Sequence, residues 1–309
     1  MAERRIPQKI PLVVILGPTA SGKSDLAVSL AKALNGEIIS ADSRQIYKDL
    51  DIGTGKITKR EMKGVPHHLL DAVSLKRNFS VAEYEKRARK KIEAIIKKKK
   101  IPFLVGGSGM YIDAVLYGAP YPEVPPNAAL RTHLEKKSAE ELFSVLEKKD
   151  PRRARTIDRH NKRRLIRAIE IITTTKRPIP ELKKVPRYNA LMLGIKKSEQ
   201  ELKKRIEARL TARLAHGMVK EVRTLLQKGV SHARLTELGL EYRFLSKYTQ
   251  GLLTRDEMKE QLFRAINQYA KRQMTWFRQY PAIVWVKNRN DAMKKIKAFI
   301  TIQAGGKSS

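Results

Sequence analysis

Residues 17–24 read Gly-Pro-Thr-Ala-Ser-Gly-Lys-Ser, a spacing suited to holding a diphosphate. Gly17 and Gly22 let the chain curl until its backbone N–H groups face one anionic centre. Pro18, Thr19, Ala20 and Ser21 span the turn between them. Lys23 adds a point charge, and the Ser24 hydroxyl suits Mg²⁺. A helix opening after Gly22 adds the positive end of its dipole. A chance match in a turn is the alternative. It is disfavoured by an apolar run before the loop and helical spacing after it. The loop signals diphosphate binding, not ATP hydrolysis. A phosphate-loop ATPase also needs a second carboxylate, usually an Asp ending a neighbouring apolar strand. The apolar run 101–105 ends instead in Gly106-Gly107-Ser108-Gly109, while the run 37–40 leads to Asp42. An Asp at that place can act as a general base, cap the turn or stand behind a metal.

These groups need a frame. Residues 10–16 are apolar and β-branched and stop at Gly17, which predicts a buried strand. Helical spacing follows over 24–34, a second short strand over 37–40, a helix over 81–99 and a third strand over 101–105. Strand, helix and strand at these intervals predict an α/β fold, a P-loop NTPase-like parallel sheet flanked by helices. The runs 191–195 and 283–286 could complete the sheet. Pro-rich residues 120–126 break the pattern, and 128 to about 182 read as helical and strongly basic. The expected division is a core over 1–120, an inserted helical subdomain over 121–187, the rest of the core with C-terminal helices over 188–303, and a disordered tail over 304–309. Within 198–228, Leu202, Ile206, Leu210 and Leu214 repeat every four residues, as do Arg205, Arg209 and Arg213 on a neighbouring face. Residues 255–280 read as another amphipathic helix.

The chain has 309 residues and no cysteine, which excludes disulfides and thiolate-held zinc or iron–sulfur centres. No apolar run approaches the roughly 20 residues of a membrane helix. Arg4, Arg5 and Lys9 ahead of an apolar run resemble a signal peptide, but a phosphate loop follows where a cleavage site belongs. The expectation is a cytoplasmic protein. Lys and Arg number 65 against 31 acids, a net charge of +34. Residues 1–120 carry 22 basic and 12 acidic side chains, and residues 121–309 carry 43 and 19. A charge concentrated this way favours a polyanion-docking surface over a uniform solvated coat. Residues 152–167 hold eight Arg or Lys with Ile157 and Leu165 as a packing side. They read as a phosphate-gripping arm, or more blandly as a solvated helix face. Tyr269, Trp276 and Phe277 among Arg264, Lys271, Arg272 and Arg278 could stack on bases, but core packing is the favoured reading. His67-His68 lacks a third ligand for a metal.

Six ordered blocks carry a resemblance: GPTASGKS (17–24), ADSRQIYKDLDIGTGK (41–56), PFLVGGSGMYIDAVLYG (102–118), NKRRLIRAIEI (161–171), RIEARLTARLAHGMVKEV (205–222) and YAKRQMTWFR (269–278). In these the chain resembles the tRNA dimethylallyltransferase (tRNA isopentenyltransferase) family. The resemblance implies transfer of a dimethylallyl group from dimethylallyl diphosphate to the exocyclic amine of the adenosine on the 3′ side of the anticodon. It implies that residues 17–24 hold the donor diphosphate with Mg²⁺, and that Asp42 is the general base. Ser108 stands where the family usually has Thr, contacting diphosphate and tRNA. Arg131 matches an arginine beside that site. Asp42, Ser43, Arg44 and Gln45, together with Arg163, Arg164, Leu165, Ile166 and Arg167, match segments that contact the tRNA anticodon stem-loop. A monomer is expected. The segment LGLEYR (238–243) departs from the family's Gly-Tyr-Lys, as does Asn161-Lys162 from Asn-Asp and GTGK (53–56) from GTAK.

The chemistry asks for such groups. An adenine exocyclic amine is a poor nucleophile, and a base that takes its proton as the new bond forms makes attack easier. The leaving diphosphate needs its growing charge stabilised, by Lys23, backbone N–H groups and a hydroxyl such as that of Ser108. Three rivals share the loop. A small-molecule or nucleotide kinase would use 152–167 as a lid, but ADSRQIYK and LVGGSGMY argue against it. An adenylate prenyltransferase would act on free AMP, ADP or ATP, but the basic insertion and high charge favour a large acceptor. An RNA-binding GTPase-like module would need base-recognition and switch motifs that the sequence lacks.

Overall fold

A computed structural model describes residues 11–118, 124–180 and 185–305, the last four by backbone alone. Arg4, Arg5 and Lys9, part of the Pro-rich break, and the last four residues of the expected tail lie outside the described residues. Ala304 and Gly305, expected in that tail, instead end the helix Arg289–Gly305.

Two compact units are present. The first comprises residues 1–118 and 185–309, and the second residues 119–184. The first is built on six parallel strands: β1 (Pro11–Leu16), β2 (Gly36–Ala41), β3 (His67–His68), β4 (Ile101–Gly106), β5 (Asn189–Ile195) and β6 (Val284–Val286). Their order is β3-β2-β4-β1-β5-β6. A parallel sheet is covered on both faces, so its strands read as continuous apolar runs. In β1, Leu12, Val14 and Leu16 join one core with Ile39 and Leu104. Val13 and Ile15 join the opposite core with Ile38, Phe103 and Leu193.

Helix Lys23–Ala33 buries Ala27, Val28, Leu30 and Ala31 in that second core. Helix Val81–Lys97 is started by Ser80, whose side chain accepts the Glu83 N–H, and buries Tyr84, Ala88, Ile92 and Ile95. The long basic stretch after β5 is a helix pair, Glu199–Ala215 and Met218–Gln227. Gly217, at φ 95°, supplies the left-handed break between them. Helix Arg255–Phe277 opens with a Thr254–Glu257 capping box and buries Met258, Leu262, Ile266, Ala270 and Phe277. Gln273 is the polar residue on that buried face.

The second unit has helices Ala128–Glu135, Ala139–Lys149, Pro151–Ala154 and Lys162–Thr175. Leu134, Leu142, Leu146, Leu165 and Ile169 form its core. Beneath its surface the fully buried Glu170 accepts from the Asn127 N–H at 2.7 Å and from Arg131 Nε and Nη2, each at 2.8 Å. Arg167 adds a 2.5 Å bond.

Candidate active site

Strand register assembles the site. Leu16 in β1 and Ala41 in β2 both pair with Gly106 at the end of β4, so the three strands finish level. The residues that follow are Gly17, Asp42 and Gly107-Ser108. Parallel strands place their loops on the carboxyl edge of the sheet, where open α/β folds bind ligands.

The loop after β1 curls as its sequence requires. Ala20 has φ 60° and Gly22 φ 88°, both left-handed. Lys23 reaches back over the turn, its Nζ donating to the Pro18 carbonyl at 3.2 Å. Burial lowers the Lys23 pKa to about 8, against the pull of Asp42 and with help from Arg209 and Arg213. A cleft of about 380 Å³ opens over this loop, lined by Ala20, Gly22, Lys23, Ser24, Arg205 and Arg209 among others. Its charged lining suits an anion of diphosphate size.

Asp42 carries its two oxygens differently. Oδ1 accepts from the Arg44 N–H at 2.8 Å and the Gln45 N–H at 3.3 Å, holding the turn after β2. Among the described residues Oδ2 accepts no hydrogen bond from the protein, which leaves it open to take a proton. The turn-capping and base readings of this residue are therefore compatible. Ser108 Oγ accepts the Ser43 N–H at 3.1 Å, and the Ser108 N–H donates to the Ala41 carbonyl at 3.2 Å. The Ser108 hydroxyl thus sits one residue from the Asp42 carboxylate, across the β2–β4 boundary. Tyr269 lies beside Ser108, and burial, with Asp42 nearby, raises its pKa.

The arginine stripe of helix Glu199–Ala215 lies against this site. Arg209 Nη2 donates to the Gly55 carbonyl at 3.2 Å and Arg213 Nη1 to that of Gly53 at 3.1 Å. Burial lowers the Arg209 pKa to about 10, with Arg213 adding to the effect. The unusual Glu241 is the counter-ion, 3.4 Å from Arg213. Glu221 gathers the loop those arginines touch, accepting the N–H groups of Asp51, Ile52 and Gly53 at 3.0, 2.6 and 3.0 Å and the Tyr242 hydroxyl at 2.8 Å. Sequence reasoning saw the four-residue arginine repeat without assigning it a role, and had no signal for Glu221.

The remaining expected residues fall in three groups. Arg44 is half-buried beside Gly239, and Gln45 Nε2 is committed to the Gly55 carbonyl at 3.2 Å. In the second unit Arg163 and Arg164 are exposed, while Arg131 and Arg167 are engaged by Glu170. Leu165 and Ile166 are a correction: both side chains are buried in that unit's core, because they fall on the apolar face of the helix whose other face carries the arginines. Phe277 is core, as favoured from sequence, and Trp276 packs on Tyr280 at 4.6 Å between ring centres. His68 pairs with the buried Glu37 at 2.7 Å. Among the described residues no group of three acidic, His or Cys side chains forms a metal cage.

The model of the family described as IPP transferase matches residues 45–280. A tRNA dimethylallyltransferase of Pelotomaculum thermopropionicum is 40% identical over 292 residues, covering 92% of this chain and 93% of its own. That of Bacillus subtilis is 40% identical over 285 residues, covering 90% of each. The crystal structure of a full-length tRNA isopentenylpyrophosphate transferase from Bacillus halodurans superposes with a TM-score of 0.71 at 36% identity, covering 96% of this chain and 97% of that one. A eukaryotic dimethylallyltransferase acting on tRNA gives 0.75 at 26% identity, covering 90% of this chain and 73% of that one. With a phosphate loop, an acid and a hydroxyl level at one sheet edge, and relatives matched along nearly its whole length, this chain belongs to the IPP transferase family.

Proposed function

We propose that this protein transfers a dimethylallyl group from dimethylallyl diphosphate to the exocyclic amine of the adenosine 3′-adjacent to the anticodon in tRNA, releasing diphosphate. The observation that carries this reading is the register that sets Lys23, Asp42 and Ser108 around one edge. The names of the relatives support the reaction class. The amine nitrogen attacks the allylic carbon and forms the C–N bond. The C–O bond breaks, and its electron pair leaves with the diphosphate. The proton released from nitrogen passes to Asp42 Oδ2. Lys23, the loop N–H groups and the Ser108 hydroxyl hold the charge that grows on the diphosphate. Arg209 and Arg213 face the same region and add to that field.

Mg²⁺ fits this donor set. Ser24 is an exposed hydroxyl on the cleft lining, and Mg²⁺ is commonly held by one or two protein oxygens plus substrate phosphates rather than by a protein cage. Bound there, it would neutralise diphosphate charge. The adenine must leave its stack, which costs a few kcal/mol and least in a single-stranded loop. Arg163 and Arg164 would grip stem phosphates, and Ser43, Arg44 and Gln45 would meet the loop. The protein acts as a monomer in the cytoplasm in this reading. No described helix is long and apolar enough to cross a membrane.

The test is to supply labelled dimethylallyl diphosphate and Mg²⁺ with tRNA, AMP or ATP in parallel. Label should enter tRNA alone. Label on the free nucleotides, or ATP consumption with a nucleoside acceptor, contradicts the reading.

A further inference from the structure

One buried side chain ties the donor loop to the loop that carries Ser108. Gln273, on the otherwise apolar inner face of helix Arg255–Phe277, is 6% exposed. Its Oε1 accepts the Thr19 N–H at 2.8 Å, and its Nε2 donates to the Gly107 carbonyl at 2.9 Å. A β-carbon on Gly107 would stand 2.2 Å from that Nε2, so glycine is what lets the amide in.

Both contacts are made to peptide groups that are pinned at their other end by the site itself. The Pro18–Thr19 peptide offers its N–H to Gln273 and its carbonyl to Lys23 Nζ, at 3.2 Å, and to the Ser21 N–H, at 3.3 Å. The Gly107–Ser108 peptide offers its carbonyl to Gln273 and its N–H to Ala41, next to Asp42. A peptide group is planar and rigid, so fixing both of its ends fixes its orientation. A neutral amide supplies one acceptor and one donor in this arrangement. A carboxylate would face the Gly107 carbonyl with a second acceptor, and an apolar chain would leave two buried backbone groups unpaired.

We propose that Gln273 is a positioning residue that holds the diphosphate-binding loop and Ser108 in fixed relation, so that donor and acceptor sites are assembled as one unit. The role rests on the transferase reading above. The Gln273 amide is committed to backbone groups at both ends. Its influence runs through Thr19 to Lys23 and through Gly107 to Ser108. Misplacement of reacting groups by about 1 Å is enough to cost on the order of 10²-fold in rate.

The experiment compares Gln273→Met, which keeps the volume and loses both bonds, with Gln273→Glu. A protonated carboxyl has one donor and one acceptor and mimics the amide, so the Glu variant should be rescued as pH falls. Single-turnover transfer to tRNA, tRNA affinity, inorganic diphosphate affinity and melting temperature are measured at about pH 8 and pH 6. Both variants should transfer about tenfold or more slowly at the higher pH, with tRNA affinity within about twofold of the unsubstituted protein. At the lower pH the deficit of the Glu variant should shrink at least threefold and that of the Met variant should not. Diphosphate affinity should follow the same pattern. Near-normal transfer in either variant, a deficit in Gln273→Glu that ignores pH, or failure of that variant to fold at both pH values would overturn the proposal. Unsubstituted protein that binds diphosphate but labels no tRNA would contradict the transferase reading, and the diphosphate affinities of the variants would still decide the role of Gln273.

Discussion

Asp42 Oδ1 is spent on the turn and Oδ2 is available for chemistry, which makes the two halves of one carboxylate separable. Asp42→Asn keeps an oxygen for the Arg44 N–H, so fold and tRNA affinity should persist. Turnover should fall by roughly 10²–10⁴-fold, the scale of a lost general base. Ser108→Ala should cost on the order of 10²–10³-fold and Ser108→Thr little, because the hydroxyl remains. Single-turnover transfer at saturating substrates measures both, and near-normal turnover in Asp42→Asn would return that residue to capping alone. Lys23 brings a pH dependence. Its amine is lowered to about 8 by burial, so the free protein loses this charge as pH rises through that value. Donor kcat/KM should therefore fall above about pH 8. A bound diphosphate favours the charged amine, so kcat should hold to higher pH. A donor kcat/KM that stays flat through about pH 9 would contradict a charged Lys23 at the diphosphate.

At the scale of elements, Glu170 organises the inserted unit. The side-chain bonds from Arg131, the Asn127 N–H and Arg167 outweigh its burial and hold its pKa down to about 2, against an ordinary 4.5. A depressed carboxyl stabilises the fold above its ordinary pKa and loses that contribution as pH falls toward the folded value. Glu170→Gln should destabilise this unit by about 2–3 kcal/mol at neutral pH, less than for a fully enclosed pair because the two arginines are partly solvated. Stability of the variant should also be flatter between about pH 4.5 and 2. Hydrogen exchange across residues 128–175 measures both.

Element by element, legibility followed burial. The strands β1, β2, β4, β5 and β6 were readable because burial on both faces writes them as apolar runs. β3 was not, since two histidines, of which His68 pairs with the buried Glu37, carry no strand signature. The spacing of Arg205, Arg209 and Arg213 gave their shared face but not what it meets, which depends on a loop some 150 residues away in sequence. Leu165 and Ile166 lie in a segment that resembles a tRNA-contacting one of the family, although their own apolarity marks them as core. Gln273 looked like an ordinary helix residue until the carboxyl edge of the sheet met it.

For the whole molecule, charge is the dominant property. A net +34 concentrated beyond residue 120 should make tRNA affinity fall steeply with salt. Contact with about five stem phosphates gives a slope near −4 to −5 in log affinity against log salt, and a flat response would remove RNA as the reason for the charge. In the proposed reaction, the register that levels Gly17, Asp42 and Gly107 would let a diphosphate donor and a nucleic-acid base meet on one sheet edge. The proposed acceptor is the adenine beside the anticodon. The most direct test of this assignment is single-turnover transfer from dimethylallyl diphosphate to an anticodon stem-loop carrying adenine at that position, against the same RNA carrying guanine there, with the modified nucleoside identified by mass spectrometry. The adenine RNA should yield dimethylallyladenosine at that one position and the guanine RNA nothing. Equal transfer to both, or modification at another site, would contradict it.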